Sequence, residues 1–147
     1  MTANDLDLFS FTFADEREAL TPMATHIGTY LYEPNASLLK AGAFKCVAQR
    51  MGVSKLHVSS HLYTSDIPVE AFPGRKFAVQ EVFSFTGKLC KSISKTIPRA
   101  NITVRNFPLS VDELRKRTKI TDGGDVYLFA TTDAAGEKLL IKCTKLM

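Results

Sequence analysis

Residues 100–132 read ANITVRNFPLSVDELRKRTKITDGGDVYLFATT, and this stretch decides the fold. Ile102 and Val104 alternate with Thr103 and Arg105, the period of two that marks a half-buried strand. Ser110-Val111-Asp112-Glu113 then has the form of a capping box, in which the serine caps the helix and the glutamate reaches back. The helix it starts is expected to end near Lys119. Thr121–Asp125 turns the chain, and Val126–Thr132 reads as a second strand. No residue here looks like a nucleophile with a base beside it. Four cations in five positions, Arg115, Lys116, Arg117 and Lys119, sit near the helix end instead. That pattern suits holding a polyanion better than cutting or transferring one.

Working outward, Lys138–Lys145 forms a further strand, joined by Asp133–Glu137, whose Gly136 suits a hairpin. Upstream, Phe77, Val79, Phe83 and Phe85 alternate on one face of a strand. A helix follows over roughly Gly87–Ile97, with Leu89, Ile93 and Ile97 as its buried seam. The order is βαβαββ. Residues 67–74, IPVEAFPG, hold two prolines and a glycine and mark the clearest boundary in the chain. It divides residues 1–70 from residues 71–147.

The first part is less regular. Residues 5–13 alternate as a strand, and a second short strand is expected around Ile27–Tyr32. Asn35 can cap a helix running to about Met51, with Gly52 as its left-handed stop. Gly42 inside that helix is a cost. Leu56–Tyr63 reads as one more strand. The fold class expected from all of this is α+β.

A chain of 147 residues with 45% hydrophobic and 23% charged side chains can bury a real core. No apolar run is long enough to cross a bilayer as a helix. The acidic start, MTANDLDLF, lacks a signal peptide's features, so the cytosol is the expected address. Cys46, Cys90 and Cys143 are too scattered for a disulfide framework or a CxxC zinc site and read as small buried hydrophobes. The net charge of +4 is uneven. Residues 1–70 carry five Lys/Arg against eight Asp/Glu (net −3), whereas residues 71–147 carry fourteen against seven (net +7). Such separation points to a basic module with an anionic partner.

Lys88, Lys91, Lys95 and Arg99 recur at helical spacing and form one basic stripe; Arg115, Lys116, Arg117 and Lys119 form another. Consecutive crossover helices often cover the same sheet face, so the stripes can lie side by side along a phosphate backbone. A single lysine of this kind is more simply a solvated side chain. Arg105-Asn106 interrupts a core-type strand: Asn106 is better read as the start of a turn before Pro108, while Arg105 stays open between solvent and ligand. Asp122-Gly123-Gly124-Asp125 lacks the lysine and helix a phosphate loop requires and is read as turn geometry. His57 and His61, on one strand, would lie about 13 Å apart, too far to share a metal ion. Ser59, Ser60 and Glu70 beside them make no recognisable triad. No catalytic or metal-ligating residue is expected.

These residues resemble a known family. ANITVRNFPLSVDELRKR followed by DGGDVYLFATT resembles the THUMP-like domain that closes a family of bacterial proteins classed by sequence as class I SAM-dependent methyltransferases. YLYEPNASLLKAGAF, HVSSHLYTSD and FPGRKF resemble the small ferredoxin-like segment preceding it. The resemblance runs from about Leu6 to Leu146. It implies a ferredoxin-like subdomain over residues 1–70 and a THUMP-like domain over residues 71–147, the latter similar in order to the C-terminal domain of translation initiation factor three. It further implies binding of structured RNA, typically tRNA, by an accessory module that is not itself catalytic. S-adenosylmethionine is implied only for an upstream methyltransferase domain, because no glycine-rich cofactor loop or Pro-Pro-Tyr-type loop occurs here. The chain is accordingly expected to be the C-terminal part of a longer protein.

The nine cations Lys88, Lys91, Lys95, Arg99, Arg105, Arg115, Lys116, Arg117 and Lys119 are the expected phosphate contacts. Three rivals stand beside this reading. The module can buttress the methyltransferase core or its dimer, which large exposed apolar patches would favour. It can bind a protein or the ribosome. A standalone enzyme is the weakest, since it needs a pocket with convergent polar groups.

Overall fold

The structure, a computed structural model, describes residues 23–42, 44–57 and 59–146. The strand expected over residues 5–13 lies outside them. Seven strands are described: β1 (Tyr30–Pro34), β2 (Ser54–His57), β3 (Ser60–Ser65), β4 (Gly74–Ser84), β5 (Asn101–Arg105), β6 (Val126–Thr132) and β7 (Lys138–Lys145). They form one sheet in the order β2-β3-β1-β4-β7-β6-β5, in which only β5 and β6 pair in parallel. The described helices are α1 (Ala36–Ala41), α2 (Phe44–Met51), α3 (Gly87–Ser92) and α4 (Val111–Thr118), with a 3-10 turn at Ile93–Lys95 continuing α3. The class is α+β, and β4-α3-β5-α4-β6-β7 runs in the expected βαβαββ order.

Three local expectations change. The helix expected over residues 35–51 is two helices. Asn35 caps α1 by accepting from the Leu38 N–H, but Gly42 (φ 69°) closes it, its own N–H bonding back to Leu38 and Leu39 carbonyls. The glycine that looked like a cost inside one helix is the stop between two. Leu56–Tyr63 is a hairpin rather than one strand, with His57 opposite Ser60. The Ser59 N–H donates to His57 Nδ1 at 2.9 Å, so the histidine itself supports the reversal.

The third change concerns β4. Its register against β7 slips between Val79 and Glu81. One extra residue reverses the alternation, so Phe77 and Val79 face one side of the sheet while Phe83 and Phe85 face the other. The expected single row of aromatics is divided between two cores.

Those cores explain the shape. On the outer face, Tyr32 and Tyr63 pack against Leu38, Val47 and Val53 beneath α1 and α2. Farther along, Leu128, Ala130 and Leu140 pack against Ile93, Ile97 and Leu114 beneath α3 and α4. The inner face has no described helix on it, yet Leu31, Leu56, Leu62, Phe77, Phe129 and Ile141 are fully buried there. The sheet curls toward a barrel and so brings its far strands together. Asn106 Nδ2 donates to Ser60 Oγ (3.1 Å), Ser60 Oγ donates to the Thr132 carbonyl (2.8 Å), and Arg105 reaches Glu33 on β1. Both halves of the chain supply this inner core.

Candidate nucleic-acid interface

The two crossover helices cover the same outer face, as expected, with Ile93, Ile97, Leu114 and Ile120 buried between them and the sheet. Thr86 caps α3 by accepting from the Leu89 N–H at 3.1 Å. At α4 both bonds of the capping box form: the Glu113 N–H donates to Ser110 Oγ (3.2 Å) and the Ser110 N–H to Glu113 Oε1 (3.1 Å). The Ser110 backbone bond, then its hydroxyl and the Arg117 and Lys116 charges, hold the Glu113 carboxyl below its usual value. Lys119 ends the helix in the left-handed conformation (φ 67°), its N–H bonded to the Arg115 carbonyl.

Lys88, Lys91, Lys95, Lys116, Arg117 and Lys119 are all exposed on this pair of helices. None makes an ion pair among the described residues. Their apolar neighbours are buried against the sheet, and Glu113 is the acidic group on which Arg117 and Lys116 act.

The other three expected contacts are placed differently. Arg99 lies beyond Pro98, bridged to Thr121, and is exposed on the turn rather than on α3. Its stem rests on the Gly-Gly turn: a Cβ at Gly124 would sit 3.1 Å from Arg99 Cδ. Residues 122–125 are turn geometry, and they are also a seat for an arginine. Arg115 turns inward. Its guanidinium donates to the carbonyls of Ile120 and Ala100 (3.2 Å each) and to Asp122 Oδ1 (3.0 Å), pinning the loops on both sides of α4.

Arg105 faces away from the helices, because Ile102 and Val104 occupy the outer side of β5. It pairs with Glu33 at 2.8 Å, and Arg75 bonds the same carboxylate at 2.6 Å. Asn106 begins a turn, with positive φ (57°), its carbonyl accepting from Thr132 Oγ1 at 2.6 Å. Its amide contacts Ser60 Oγ and His57 Nδ1 (3.3 Å). The VRNFP and HVSS motifs, nearly fifty residues apart in the chain, therefore meet in one seam. Glu33 and Arg75 are members that the sequence did not single out, and Ser60 enters as a structural bond rather than as part of a triad. The available signal was an acidic residue inside the apolar strand YLYEP, which needs a partner when buried.

His57 and His61 lie on different strands, and no set of three His, Cys, Asp or Glu among the described residues could hold a metal ion. Burial, with Lys55 adding, lowers the His61 pKa. All three cysteines are buried; burial pushes the Cys143 thiol up to about 12 and raises Cys90. A cavity of about 510 Å³ lies beside Met23, His26, Met51, Ser54 and Asp66. Its His26–Asp66 pair is 3.8 Å apart and mostly exposed, and the Thr25 hydroxyl lies 3.2 Å from His26 Nδ1.

A family model described as a ferredoxin-like domain matches residues 30–73, and one described as THUMP domain-like matches residues 74–145. The chain is also similar to a crystal structure of a putative methyltransferase from Porphyromonas gingivalis W83, with a TM-score of 0.90 and 48% identity. That match covers 93% of this chain and 34% of the other, so the chain spans about a third of its length. No curated protein matches the chain significantly. No described helix is long and apolar enough to cross a membrane. The chain carries a ferredoxin-like domain followed directly by a THUMP-like domain, joined through one continuous sheet.

Proposed function

We propose that this chain is the RNA-holding part of a SAM-dependent RNA methyltransferase, acting in the cytosol on structured RNA, with tRNA as the first candidate. It contributes no catalytic residue and no cofactor contact. The methyl donor belongs to an upstream domain of the same protein. The observation that carries this reading is the paired surface of α3 and α4, where six exposed cations make no ion pair among the described residues. Arg99 adds a seventh on its glycine seat. These seven are the proposed phosphate contacts of the helix surface; Arg115 pins the loops beside α4, and Arg105 lies on the other face of the sheet. The THUMP-like match and the methyltransferase name of the similar structure support the same reading.

The buttressing alternative draws less support. Among the described residues only Ile67 (75% exposed) and Val82 (40%) are large and apolar at the surface, and single residues of this kind do not make a docking patch.

Titration of labelled tRNA at increasing salt tests the proposal. Seven phosphate contacts on a structured, largely duplex RNA predict a slope of log affinity against log salt of about −6. Lys91→Glu with Lys95→Glu should flatten it by about 2. A slope near zero, or no binding by the full-length protein, overturns it.

A further inference from the structure

We infer that Arg75 and Arg105, gathered around Glu33 at the seam of the curled sheet, form a phosphate-binding site separate from the helix surface. Glu33 is buried, its side chain 9% exposed, and among the described residues its carboxylate accepts only from guanidinium groups. Arg75 Nε and Nη2 bond Oε1 at 2.6 Å each, and Arg105 Nη2 bonds Oε2 at 2.8 Å. One arginine is enough to neutralise one carboxylate. The second leaves the cluster with a net charge of +1, on side chains that are still 40% and 41% exposed.

The two arginines are also held in place before any ligand arrives. Arg75 lies over the Phe77 and Tyr127 rings, 5.3 and 5.9 Å from their centroids, which fixes its plane. Arg105 is tethered by Nη1 to its neighbour's carbonyl, that of Val104. Among the described residues, Arg75 Nη1 and Arg105 Nε have no hydrogen-bond partner, so donors remain after Glu33 is satisfied. Thr131, opposite Arg105 in the β5–β6 register, is fully buried, and its Oγ1 is without a hydrogen bond there.

Planar forks of N–H donors with excess positive charge match the oxygens of a phosphate group, which a halide cannot engage in the same paired geometry. The shared chemistry is a phosphate group, from a free phosphate monoester or from an RNA strand. The site is on the inner side of β5, opposite the face that α3 and α4 cover. Its success or failure is therefore independent of the helix-surface proposal.

The test is an NMR titration of the whole chain, following arginine Nε–H resonances, with inorganic phosphate, AMP and a short unphosphorylated RNA as separate arms. Sodium chloride at matched ionic strength is the control. Saturable shifts at Arg75 and Arg105 with phosphate but not chloride are expected, and persist when Lys91 and Lys95 are reversed. AMP and inorganic phosphate acting alone identify a monoester site; the RNA acting as well identifies a strand phosphate. Glu33→Gln removes the competing carboxylate and should tighten phosphate about tenfold, whereas Arg105→Lys should weaken it by a similar factor. Absence of any saturable shift in the unmodified chain shows that the arginines serve only as a clasp and overturns the inference, whatever the variants do.

Discussion

Between residues 30 and 73, the private core is a small set of side chains under two short helices, with Tyr32, Tyr63 and Phe72 as its aromatic centre. Between residues 74 and 145, the private core lies under α3 and α4 and is built mainly from aliphatic side chains. Neither core touches the other, since each sits on the outer face of its own stretch of sheet. What the halves share is the inner core, where Leu31, Leu56 and Leu62 from the first meet Phe77, Phe129 and Ile141 from the second. The comparison teaches that sequence divides this chain at the Pro-Gly boundary, but burial does not. β1 pairs with β4 through five consecutive residues across that boundary.

The sharpest way to break this view is to empty the shared core. Phe77 is fully buried and touches both Phe129 (ring centroids 4.9 Å apart) and Tyr127 (5.2 Å). Phe77→Ala should cost about 3–5 kcal/mol. Urea unfolding read separately at residues of the two halves should show one coincident transition moving to lower denaturant. Two transitions, with only the second half weakened, would mean that the halves fold apart and the continuous sheet is incidental.

The next effect lies at the junction itself. Gly74 is the first residue of β4, opposite Pro34, and a Cβ there would run into the Glu33 carbonyl oxygen. The backbones of the two halves approach too closely for any side chain. Gly74→Ala should therefore destabilise by about 2 kcal/mol or more, by forcing β1 away from β4. Thermal unfolding checks this, and an unchanged midpoint would show that the strands separate at little cost. Gly136→Ala is the control, because nothing lies within 4 Å of its added Cβ, and its penalty should come only from positive φ (84°).

How far the sequence carried each half follows from where its signals act. In the second half the devices are local: a capping box spans four residues, Gly136 makes the hairpin loop, and the β6 and β7 boundaries fall where the apolar runs begin and end. In the first half the same kinds of residue were legible and their roles were not. Gly42 was visible, but whether a glycine interrupts a helix or ends it depends on what packs beyond it. The His57–Ser59 bond that folds HVSS into a hairpin has no propensity signature. The slip at residues 79–81 is settled by β7, some sixty residues away. The seam was hidden for the same reason: Arg105, Glu33 and Arg75 are brought together only by the curl of the sheet. Exposed cations on α3 and α4 were readable because a helix face is fixed by spacing alone.

The local devices give smaller predictions that compare the halves directly. Asn35→Ala and Ser110→Ala each remove an N-cap, and each should cost about 1 kcal/mol by chemical denaturation. Because the two halves share one core, both losses should appear in the same global transition. An Asn35→Ala loss confined to local exchange of α1, with the global midpoint untouched, would instead mark the first half as a separately fraying unit.

The smallest effect is a pH dependence confined to α4. Bonds from Ser110, aided by Arg117 and Lys116, lower the Glu113 pKa from its ordinary 4.5, so the folded chain holds this proton less tightly than the unfolded one. The sign follows from that order. The contribution to stability is complete above the ordinary carboxylate value and is lost as pH falls through the lower folded value. Amide exchange in the first turn of α4 should thus quicken on acidification below about pH 4.5 relative to α1, whose first turn has no acidic residue. Glu113→Gln should abolish most of the difference, since the amide carries no titrating proton and can still reach back to the Ser110 N–H. If exchange at α1 and α4 responds to acid alike in both proteins, the capping box is not what ties α4 to pH, and the common cause lies in the shared core.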